Sequence, residues 1–395
     1  MDIFAKCYKE SRADQARAMN IYPYFHALES RQDTVVMMEG KRRIMLGSNN
    51  YLGLTINEEV IEAGIKAYRD YGSGCSGSRF LNGTLKLHLE FEAKIAKFLG
   101  KQAAMTFSTG FQSNLGLISS IVTKRDYVIM DKENHASLYD GCRLSYGTML
   151  RYRHNDMADL EKQLQKIPED CGSLIVTDGV FSMGGDIANL PQICALAEKY
   201  GARVMVDDAH GLGVIGKGGR GTASYFGLED KVDIYMGTLS KSLASLGGFI
   251  AADERVIDYV KHTSRPFIFS ASMTPSSCAS AIKALEILEN NPQLVQRLQD
   301  NSRYLRQRLR ECGIKMRESS GEEVPIIPIY TYDMIKTLAI TKELYDRGVF
   351  VNCSLPPAVA PGECLLRISL MATHTHELID EAVGIIREVL KEHGV

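Results

Sequence analysis

The sequence is short of three features: long apolar runs, paired cysteine motifs and an excess of charge. No uninterrupted apolar run approaches the roughly 18 residues that span a bilayer, so we expect no membrane-spanning segment, although peripheral contact stays open. The start of the chain, MDIFAK, lacks the apolar core of a signal peptide. The formal net charge of −2 gives no bulk basic field, so no nucleic-acid partner is expected.

The nine cysteines are scattered along the chain, and none forms a C-x-x-C pair. Their odd number and irregular spacing favour neither a disulfide framework nor a zinc site. We therefore expect no metal centre and a protein of the reducing cytoplasm.

The length and composition favour an enzyme of more than one domain. A chain of 395 residues is too long for one small core, and 45% apolar with 24% charged residues is ordinary for a globular enzyme. The pattern predicts an amino-terminal arm (residues 1–45), a large domain (46–290) and a smaller α+β carboxy-terminal domain (291–395). No internal repeat or low-complexity segment is present.

Two strand-like stretches end in polar residues and organise the predicted fold. The first, VMV at 204–206, ends in two acids, the first of them Asp207, with His210 close behind. The second, VDIYMG at 232–237, is followed by Lys241 among hydroxyls and glycines. Buried parallel strands deliver side chains at their carboxyl ends in this way. A carboxylate, a histidine and a lysine at consecutive strand ends suit a pyridoxal 5'-phosphate (PLP) enzyme, because the lysine forms an imine with the cofactor and the carboxylate keeps the pyridine nitrogen protonated.

Strand and helix patterns alternate from about residue 103 to 249. This alternation predicts an α/β fold with a mostly parallel central sheet covered by helices. A two-stranded ribbon is expected around 38–41, and residues 326–330 and 365–370 are expected to be strands of the carboxy-terminal domain. On the last of these, Arg367 lies off the apolar face, where it requires an ion pair or an open cleft. From the residues alone, a salt bridge and a ligand-binding role are equally favoured.

Two stretches match G-x-G-x-x-G, at 72–77 and 216–221, and are reminiscent of a dinucleotide site. That fingerprint requires a preceding strand and a following helix. The first stretch instead follows a helical pattern at 60–68, and the second lacks the strand–turn–helix context. We interpret both as loops.

D-D-A-H-G-x-G-V-x-G at 207–216, followed by G-T-x-S-K-S at 237–242, resembles the α-oxoamine synthases. These are fold-type I PLP-dependent transferases that condense an amino acid with an acyl-CoA and release carbon dioxide. The resemblance extends over nearly the whole chain. It implies that Lys241 holds PLP as a covalent aldimine and transfers the proton at Cα, that Asp207 pairs with the pyridine nitrogen, and that His210 reaches the ring hydroxyl.

Two segments resemble the family's phosphate-binding parts. The turn at 108–114 implies contacts from Gly110 and Phe111, since small residues let backbone N–H groups and the positive end of a helix approach a phosphate. An ordinary strand-to-helix turn is the alternative. Residues 270–274 imply that Ser272 reaches the neighbour's phosphate across a dimer interface, which makes a homodimer with shared active sites. The alternative is a simple N-cap at Ser272 or the threonine two residues later.

Two further motifs border the expected cofactor ring. D-x-x-x-H-A-S at 131–137 implies that His135 stacks on the pyridine ring and meets the substrate carboxylate. A lone histidine at a helix start otherwise serves as a cap. The loop G-V-F-S-M-G-G-D at 179–186 implies that Ser182 lies near the ring oxygen, with a plain serine turn as the alternative.

Three motifs imply substrate contacts. N-x-Y-L-G at 49–53 has Asn49 facing the substrate in similar enzymes, although a turn explains its polar run equally well. S-R-F-x-x-G-T at 78–84 borders the active site in similar enzymes, which implies that Ser78 contacts the substrate. The L-R-x-S strand resembles the family's source of the substrate-carboxylate arginine, here Arg367, whose planar fork matches a carboxylate.

The resemblance therefore implies three sets of residues. The catalytic set is Lys241, His135, Asp207 and His210. The cofactor-binding set is Gly110, Phe111, His135, Ser182, Asp207, His210, Thr238, Ser240, Lys241 and Ser272. The substrate-binding set is Arg367, Asn49, Ser78 and His135.

The residue before the lysine is Ser240, where several synthases of the family carry glycine. Together with P-P-A-V at 356–359 and the stretch 367–375, this resembles the bacterial subgroup that joins L-serine to a long-chain acyl-CoA such as palmitoyl-CoA. The product is 3-ketodihydrosphingosine, from the first step of sphingolipid synthesis. One alternative is a synthase of the 8-amino-7-oxononanoate or glycine C-acetyltransferase type. A catalytically silent partner subunit is another, although such proteins commonly lose the lysine. We expect a cytoplasmic protein, with peripheral contact at the inner membrane face left open.

Overall fold

The computed structural model describes residues 1–317 and 321–395 of the chain. The strands are β1 (Val35–Met38), β2 (Lys41–Met45), β3 (Ala103–Phe107), β4 (Tyr127–Asp131), β5 (Thr148–Tyr152), β6 (Ser173–Asp178), β7 (Arg203–Asp207), β8 (Ile234–Thr238), β9 (Gly248–Ala252), β10 (Ile326–Tyr332), β11 (Val349–Phe350), β12 (Asn352–Ser354) and β13 (Cys364–Ser369).

The α-helices alternate with these strands through the middle of the chain. They are α1 (Arg12–Ala18), α2 (Glu58–Tyr71), α3 (Lys86–Leu99), α4 (Gly110–Ile121), α5 (Ala136–Leu144), α6 (Met157–Leu164), α7 (Leu190–Tyr200), α8 (Thr222–Phe226), α9 (Glu254–Thr263), α10 (Arg265–Ile268), α11 (Pro275–Asn290), α12 (Gln293–Glu311), α13 (Met334–Asp346) and α14 (His376–Glu392). Short 3-10 helices cover Ala5–Tyr8, Leu54–Ile56 and Lys217–Gly219.

The central sheet has seven strands in the order β3-β9-β8-β7-β6-β4-β5. Strands β4 to β8 run parallel, and β9 is antiparallel to both of its neighbours. The central strands are short apolar runs because each is covered on both faces. Ile129 and Ile175 pack into one core cluster, while Val128 and Val176 pack into the other. The predicted mostly parallel sheet covered by helices is confirmed.

Acidic and hydroxyl residues end four of the parallel strands at the same edge of the sheet. Asp131, Asp178, Asp207 and Thr238 are the last residues of β4, β6, β7 and β8. Because β6, β7 and β8 are hydrogen-bonded neighbours, the side chains that follow them meet in one place. This edge, rather than the opposite one, is therefore where the chain assembles a site.

The carboxy-terminal part contains a second, small antiparallel sheet in the order β10-β13-β12. A third sheet pairs the predicted amino-terminal ribbon, β1 and β2, with β11. The ribbon of residues 35–45 is thus hydrogen-bonded to the carboxy-terminal region, and it is not an isolated arm. The proposed boundaries at 45/46 and 290/291 stay a prediction.

Most local predictions match the elements. The apolar spacing of residues 88–99 followed by Gly100 predicts a helix that ends there; this helix is α3, and Gly100 caps it with a left-handed φ of 69°. The G-x-G-x-x-G stretch at 72–77 follows α2, and the one at 216–221 contains only a 3-10 turn before α8, so neither has the strand–turn–helix context. The edge strand β5 was not predicted.

Within 1–317 and 321–395, no helix combines the length and the apolar character needed to cross a bilayer. Nor does this part of the chain bring together three histidine, cysteine, aspartate or glutamate side chains in a geometry that could hold a metal ion. All nine cysteines are free thiols.

Candidate active site

Lys241 lies three residues beyond the end of β8, in a loop at the polar edge of the sheet. Its Nζ is 2.8 Å from Nε2 of His210, which follows the neighbouring strand β7. Burial lowers the pKa of Lys241 to about 8, and the negative charge of Asp207 acts in the opposite direction. A substantial fraction of this lysine is therefore the free amine near neutral pH.

His210 is held on both ring nitrogens. The hydroxyl of Tyr51 is 2.6 Å from its Nδ1, while Nε2 faces Lys241. Burial holds the pKa of His210 well below its ordinary value, and the nearby lysine lowers it further. The ring is consequently a neutral imidazole with one donor and one acceptor nitrogen.

Asp207 is buried at the end of β7, and its two carboxylate oxygens both receive hydrogen bonds. Asn114 Nδ2 donates to Oδ2 at 2.7 Å, and the backbone N–H of Ala209 donates to Oδ1 at 3.0 Å. Asn114 also donates to Ser137 Oγ at 2.8 Å, which links helix α4 to the start of α5. These two donors fix the orientation of the carboxyl group in a site that solvent reaches poorly.

His135 is the N-cap residue of α5. Its Nδ1 lies 2.7 Å from Ser137 Oγ and accepts from the Ser137 backbone N–H at 3.3 Å, so the capping interpretation is confirmed. The ring also packs edge-on against Phe111, with centroids 6.3 Å apart. Its own backbone N–H donates to Asp178 Oδ2 at 3.1 Å. Capping fixes the ring in place and does not compete with the predicted contact to a cofactor.

The start of α4 fits an anion. Thr109 caps the helix by accepting from the Gln112 N–H at 3.1 Å, and the amides of Gly110 and Phe111 belong to the first turn, which has no intrahelical acceptors. A Cβ on Gly110 would lie 2.9 Å from Thr238 Oγ1, so only glycine allows this close approach to the sheet. Thr238 Oγ1 is itself 2.9 Å from Ser240 Oγ. Hydroxyls and free amides therefore converge here.

The segment before α11 borders the same turn within one chain. Gln112 Nε2 donates to Ser270 Oγ at 2.6 Å. Ser272 donates from Oγ to the carbonyl of Gly77 at 3.1 Å, and Thr274 caps α11 by accepting from the backbone of Ser277. The N-cap alternative is thus observed at Thr274, while the role predicted for Ser272 across a dimer interface stays a prediction.

Arg367 is a buried arginine on β13. Nε donates to the carbonyl oxygen of Ser182, Nη1 donates to Ser369 Oγ at 2.7 Å, and Nη2 donates to Asn49 Oδ1 at 3.1 Å. Its exposed fraction is 4%, yet in residues 1–317 and 321–395 no carboxylate forms a salt bridge with it. A buried guanidinium held only by neutral acceptors is suited to bind a carboxylate from outside the chain.

The hydroxyls of two predicted residues, Ser78 and Ser182, form no hydrogen bond with this cluster within the described residues. Ser78 is buried, and its hydroxyl has no hydrogen-bond partner among the residues that the structure describes. The neighbouring Arg79 forms a buried ion pair with Glu92 at 2.6 Å, and it also donates to Thr106. Ser182 contributes its backbone carbonyl to Arg367, and a role for its hydroxyl stays a prediction.

The residues present fit PLP. The cofactor needs an amine to bind its aldehyde, a carboxylate for its ring nitrogen and a cradle for its phosphate. Lys241 and Asp207 supply the first two at neighbouring strand ends, and the α4 turn supplies the third. The side-chain oxygen of Asn114, whose amide nitrogen bonds Asp207, is buried without a partner within the described residues, so an acceptor is present for a polar group at this position.

Residues 41–386 match the aminotransferase class I and II family. The chain belongs to this family. Among curated relatives, the chain is 53% identical over 379 residues to a serine palmitoyltransferase of Sphingobacterium spiritivorum, covering 96% of this chain and 94% of that protein. It is 55% identical over 366 residues to a serine palmitoyltransferase of Bacteroides thetaiotaomicron, covering 93% and 92%. An 8-amino-7-oxononanoate synthase of Bacillus velezensis is 42% identical, with 98% of both chains covered.

Solved structures agree with the sequence relatives. A serine palmitoyltransferase (SPT) of Sphingomonas wittichii has a TM-score of 0.95 at 37% identity, covering 100% of this chain and 99% of that one. A high-resolution structure of SPT with its PLP internal aldimine has a TM-score of 0.96 at 36% identity, with 100% of both chains covered. The predicted fold-type I transferase fold and the resemblance to the α-oxoamine synthases are confirmed.

Sequence reasoning missed the contacts of three residues: Tyr51, Asn114 and Asp178. Asp178 ends β6 as Asp207 ends β7, so the strand-end pattern that selected Asp207 also pointed to it. Asn114 lies four residues after Gly110 and therefore on the same face of α4. Tyr51 stands two positions after Asn49 in the same motif, but nothing local indicates that it reaches His210.

Proposed function

We propose that this chain catalyses the PLP-dependent decarboxylative condensation of L-serine with a long-chain acyl-CoA such as palmitoyl-CoA. The products are 3-ketodihydrosphingosine, coenzyme A and carbon dioxide. The observation that carries the proposal is a half-buried lysine hydrogen-bonded to His210 near Asp207, and connected through Tyr51 to an arginine that lacks a carboxylate partner within the described residues. Identities of 53% and 55% to serine palmitoyltransferases support the substrate pair.

The cofactor is pyridoxal 5'-phosphate, which when bound withdraws the electrons left at the amino acid's Cα. Asp207 would pair with the pyridine nitrogen, and its carboxyl group is held in place by hydrogen bonds from Asn114 and the Ala209 amide. His135 covers one face of the ring, and His210 reaches the ring hydroxyl. The remaining contacts are proposed for Gly110, Phe111, Ser182, Thr238, Ser240 and Ser272.

Lys241 moves the proton at Cα. A base of this kind works best when its pKa is close to the working pH, and burial lowers the pKa of this lysine to about 8. At pH 7, roughly a tenth of it is then the free amine, compared with less than about a thousandth for an ordinary lysine. Burial in the loop after β8 therefore allows Lys241 both to accept and to donate a proton near neutral pH.

Arg367 binds the substrate carboxylate, with Asn49 as its neighbour. Its Nη2 donates to Asn49 Oδ1, and its Nε is fixed by the Ser182 carbonyl, so the guanidinium is oriented before substrate arrives. Such an anchor aligns the Cα–H bond with Lys241 and adds a positioning contribution to the rate. Ser78 stays a proposed contact with less support, since its hydroxyl joins none of these groups within the described residues.

Selection of serine over glycine requires a polar partner for the hydroxymethyl group. A site built to bond a hydroxyl rejects its absence by about 10⁴-fold or more, whereas methylene differences give roughly 10–200-fold. The test is a titration of the PLP-loaded protein with glycine, L-alanine, L-serine and L-threonine, followed by the visible absorbance band. Serine is expected to perturb the band at the lowest concentration, and preference for glycine or alanine would move the proposal to a sister synthase.

Neither alternative has an observation of its own in its favour. The 8-amino-7-oxononanoate synthase is the less similar relative at 42% identity. A silent partner subunit has little need of a buried lysine at the cofactor position, and Lys241 is present with its hydrogen-bond partner. A purified protein without a visible band after PLP is added would revive that alternative.

A homodimer with active sites completed by both chains is part of the proposal. Large apolar side chains near the site are exposed in the single chain: 77% for Leu81, 76% for Phe269, and smaller fractions for Phe80 and Phe111. Such side chains close to the site are suited to be covered by a second copy. The test mixes a Lys241→Ala chain with a Ser272→Ala chain. Regained activity in hybrid dimers supports sharing, and no regain means that each chain completes its own site.

We also propose a cytoplasmic location, supported by nine free thiols. Peripheral contact with the inner membrane face is the part of this proposal with least support. Exposed Ile3, Phe4 and Tyr8 beside Lys6 suit such a surface. Sedimentation with anionic vesicles tests it, with the same chain shortened by its first ten residues as control.

A further inference from the structure

A series of hydrogen bonds connects Lys241 through His210 and Tyr51 to Arg367, the residue proposed to bind the substrate carboxylate. Lys241 Nζ is 2.8 Å from His210 Nε2, and His210 Nδ1 is 2.6 Å from the hydroxyl of Tyr51. The same hydroxyl lies 3.5 Å from Arg367 Nη2 and 3.3 Å from Asn49 Oδ1. Tyr51 has an exposed fraction of 0%, so water does not take the place of any of these partners.

Two arrangements of the protons along these hydrogen bonds differ in the charge that they allow on Lys241. In the first, Tyr51 donates to Nδ1 of His210, and Nε2–H donates to the lone pair of a neutral Lys241. In the second, a protonated Lys241 donates to Nε2, Nδ1–H donates to Tyr51, and Tyr51 donates to Asn49. The two arrangements exclude each other, because a neutral imidazole carries one proton and His210 stays neutral in this buried position.

The distances favour the first arrangement. The contact from Tyr51 to Nδ1 is shorter than its contact to Asn49, and Asn49 Oδ1 already accepts from Arg367. Arg367 can only donate, and its positive charge beside the phenol makes the hydroxyl a better donor and a poorer acceptor. An O–H group facing an imidazole nitrogen at 2.6 Å is then the natural donor.

Other charged groups near Lys241 change its pKa through electrostatic interactions, but they do not determine the tautomer of His210. Asp207 and Asp178 raise the pKa of Lys241, while Arg367 and burial lower it. Burial lowers the pKa of His135, and the charge of Lys241 lowers it further. Within the described residues, the hydroxyl of Tyr51 is the group that bonds Nδ1 of His210.

We propose that Tyr51 is a positioning residue that fixes the Nε2–H tautomer of His210 and thereby favours the free-amine form of Lys241 over its protonated form, coupling the lysine to the Asn49–Arg367 pair. The inference rests on the proposed function in one respect, that Lys241 is the lysine that PLP occupies. It adds that a residue outside the cofactor and substrate sets controls how readily that lysine reacts.

The test is the Tyr51→Phe variant, which removes one oxygen and keeps the ring. Cofactor-free protein is mixed with PLP, and the rate of uptake is followed by absorbance from pH 6.5 to 10. Loss of the hydroxyl is expected to raise the apparent pKa of uptake by about 0.5–1 unit, which slows uptake about three- to tenfold at neutral pH and leaves the alkaline plateau unchanged. Tyr235→Phe removes another buried hydroxyl, bonded to the Glu229 carbonyl, and is expected to keep the wild-type profile.

Overlapping profiles for Tyr51→Phe and the wild type would overturn the inference. If the variant fails to fold, nitrogen NMR of histidine-labelled wild-type protein decides, with His210→Gln to assign the signal. A protonated Nε2 and a bare Nδ1 in the cofactor-free protein above pH 9 support the inference, and a protonated Nδ1 contradicts it. Neither readout uses serine or acyl-CoA, so a failure of the proposed substrates leaves this result interpretable on its own.

Discussion

Asp178 and Asp207 lie directly opposite each other on the neighbouring parallel strands β6 and β7, with both side chains buried. Asp207 receives hydrogen bonds from Asn114 and Ala209. Burial raises the pKa of Asp178 well above its ordinary value, and the charge of Asp207 raises it further. The two acids therefore divide into Asp178, whose protonated form burial and the neighbouring charge favour, and Asp207, which two hydrogen-bond donors hold in place.

This division predicts opposite tolerance to amidation. Asp178→Asn replaces a neutral acid by a neutral amide that still accepts from the His135 backbone N–H, so activity is expected to stay within about threefold. Asp207→Asn removes the charge that holds the pyridine nitrogen, and a loss on the order of a hundredfold or more is expected. Steady-state kinetics of the two variants at saturating PLP provide the comparison. Equal losses in both would contradict the assignment.

Asn114 is expected to control cofactor affinity through Asp207. Asn114→Ala removes a hydrogen bond to a buried charge, worth roughly 1.5–3 kcal/mol, so the Kd for PLP should rise about ten- to a hundredfold. Equilibrium dialysis or absorbance titration measures it. Asn301→Ala is the matched control, because this buried amide bonds the carbonyls of Met371 and His374 instead. The control should lower stability while leaving the Kd for PLP unchanged.

Arg367→Lys keeps the positive charge but removes the planar guanidinium group, which can form several hydrogen bonds at once. A lysine cannot bond Asn49, Ser369 and a carboxylate in one plane, so the KM for serine is expected to rise about ten- to a hundredfold with little change in PLP affinity. Arg43→Lys, a buried arginine stacked on Tyr345 at 4.3 Å, serves as the control. Serine saturation curves for both variants test the prediction, and an unchanged KM in Arg367→Lys would place the carboxylate elsewhere.

Burial of Lys241 makes the stability of the cofactor-free protein depend on pH. The folded-state pKa is about 8 and the ordinary value is 10.5, so between these values the unfolded chain binds more protons and stability rises with pH. Relative to Lys241→Met, the wild-type free energy of unfolding is expected to rise by about 2 kcal/mol from pH 7 to 9.5.

Urea unfolding at both pH values provides this measurement. Lys9→Met, which alters an exposed lysine near the amino terminus, is expected to show no such pH-dependent difference. A difference between wild type and Lys241→Met that stays constant with pH would mean that the folded state does not penalise the lysine's charge.

The fold was predictable because the amino-acid pattern of each central strand is recognisable without knowledge of its neighbours. Strands β4, β6, β7 and β8 are covered on both faces, so they are continuous apolar runs with polar ends. Strand β5 was missed for the opposite reason. It lies at the edge of the sheet, where Thr148 and Arg151 are exposed and the pattern is mixed.

The site was predictable where a motif carries chemistry and unpredictable where partners are distant in sequence. Lys241 was assigned from the strand end that precedes it and Arg367 from the resemblance of its strand to the family's motif, and both assignments stay predictions. The contact of Asn114 with Asp207 spans 93 residues, and that of Tyr51 with His210 spans 159. Crossover connections and strand order bring these pairs together, and neither is encoded in the local pattern around either residue.

The proposed substrate pair can be tested in a single competition experiment. PLP-loaded protein is incubated with palmitoyl-CoA and equal concentrations of L-serine, glycine, L-alanine and L-threonine, and the amino ketones are quantified by mass spectrometry. The account predicts 3-ketodihydrosphingosine as the dominant product, with release of one coenzyme A for each molecule formed. Amino ketones derived mainly from glycine or alanine, or no condensation product at all, would contradict it.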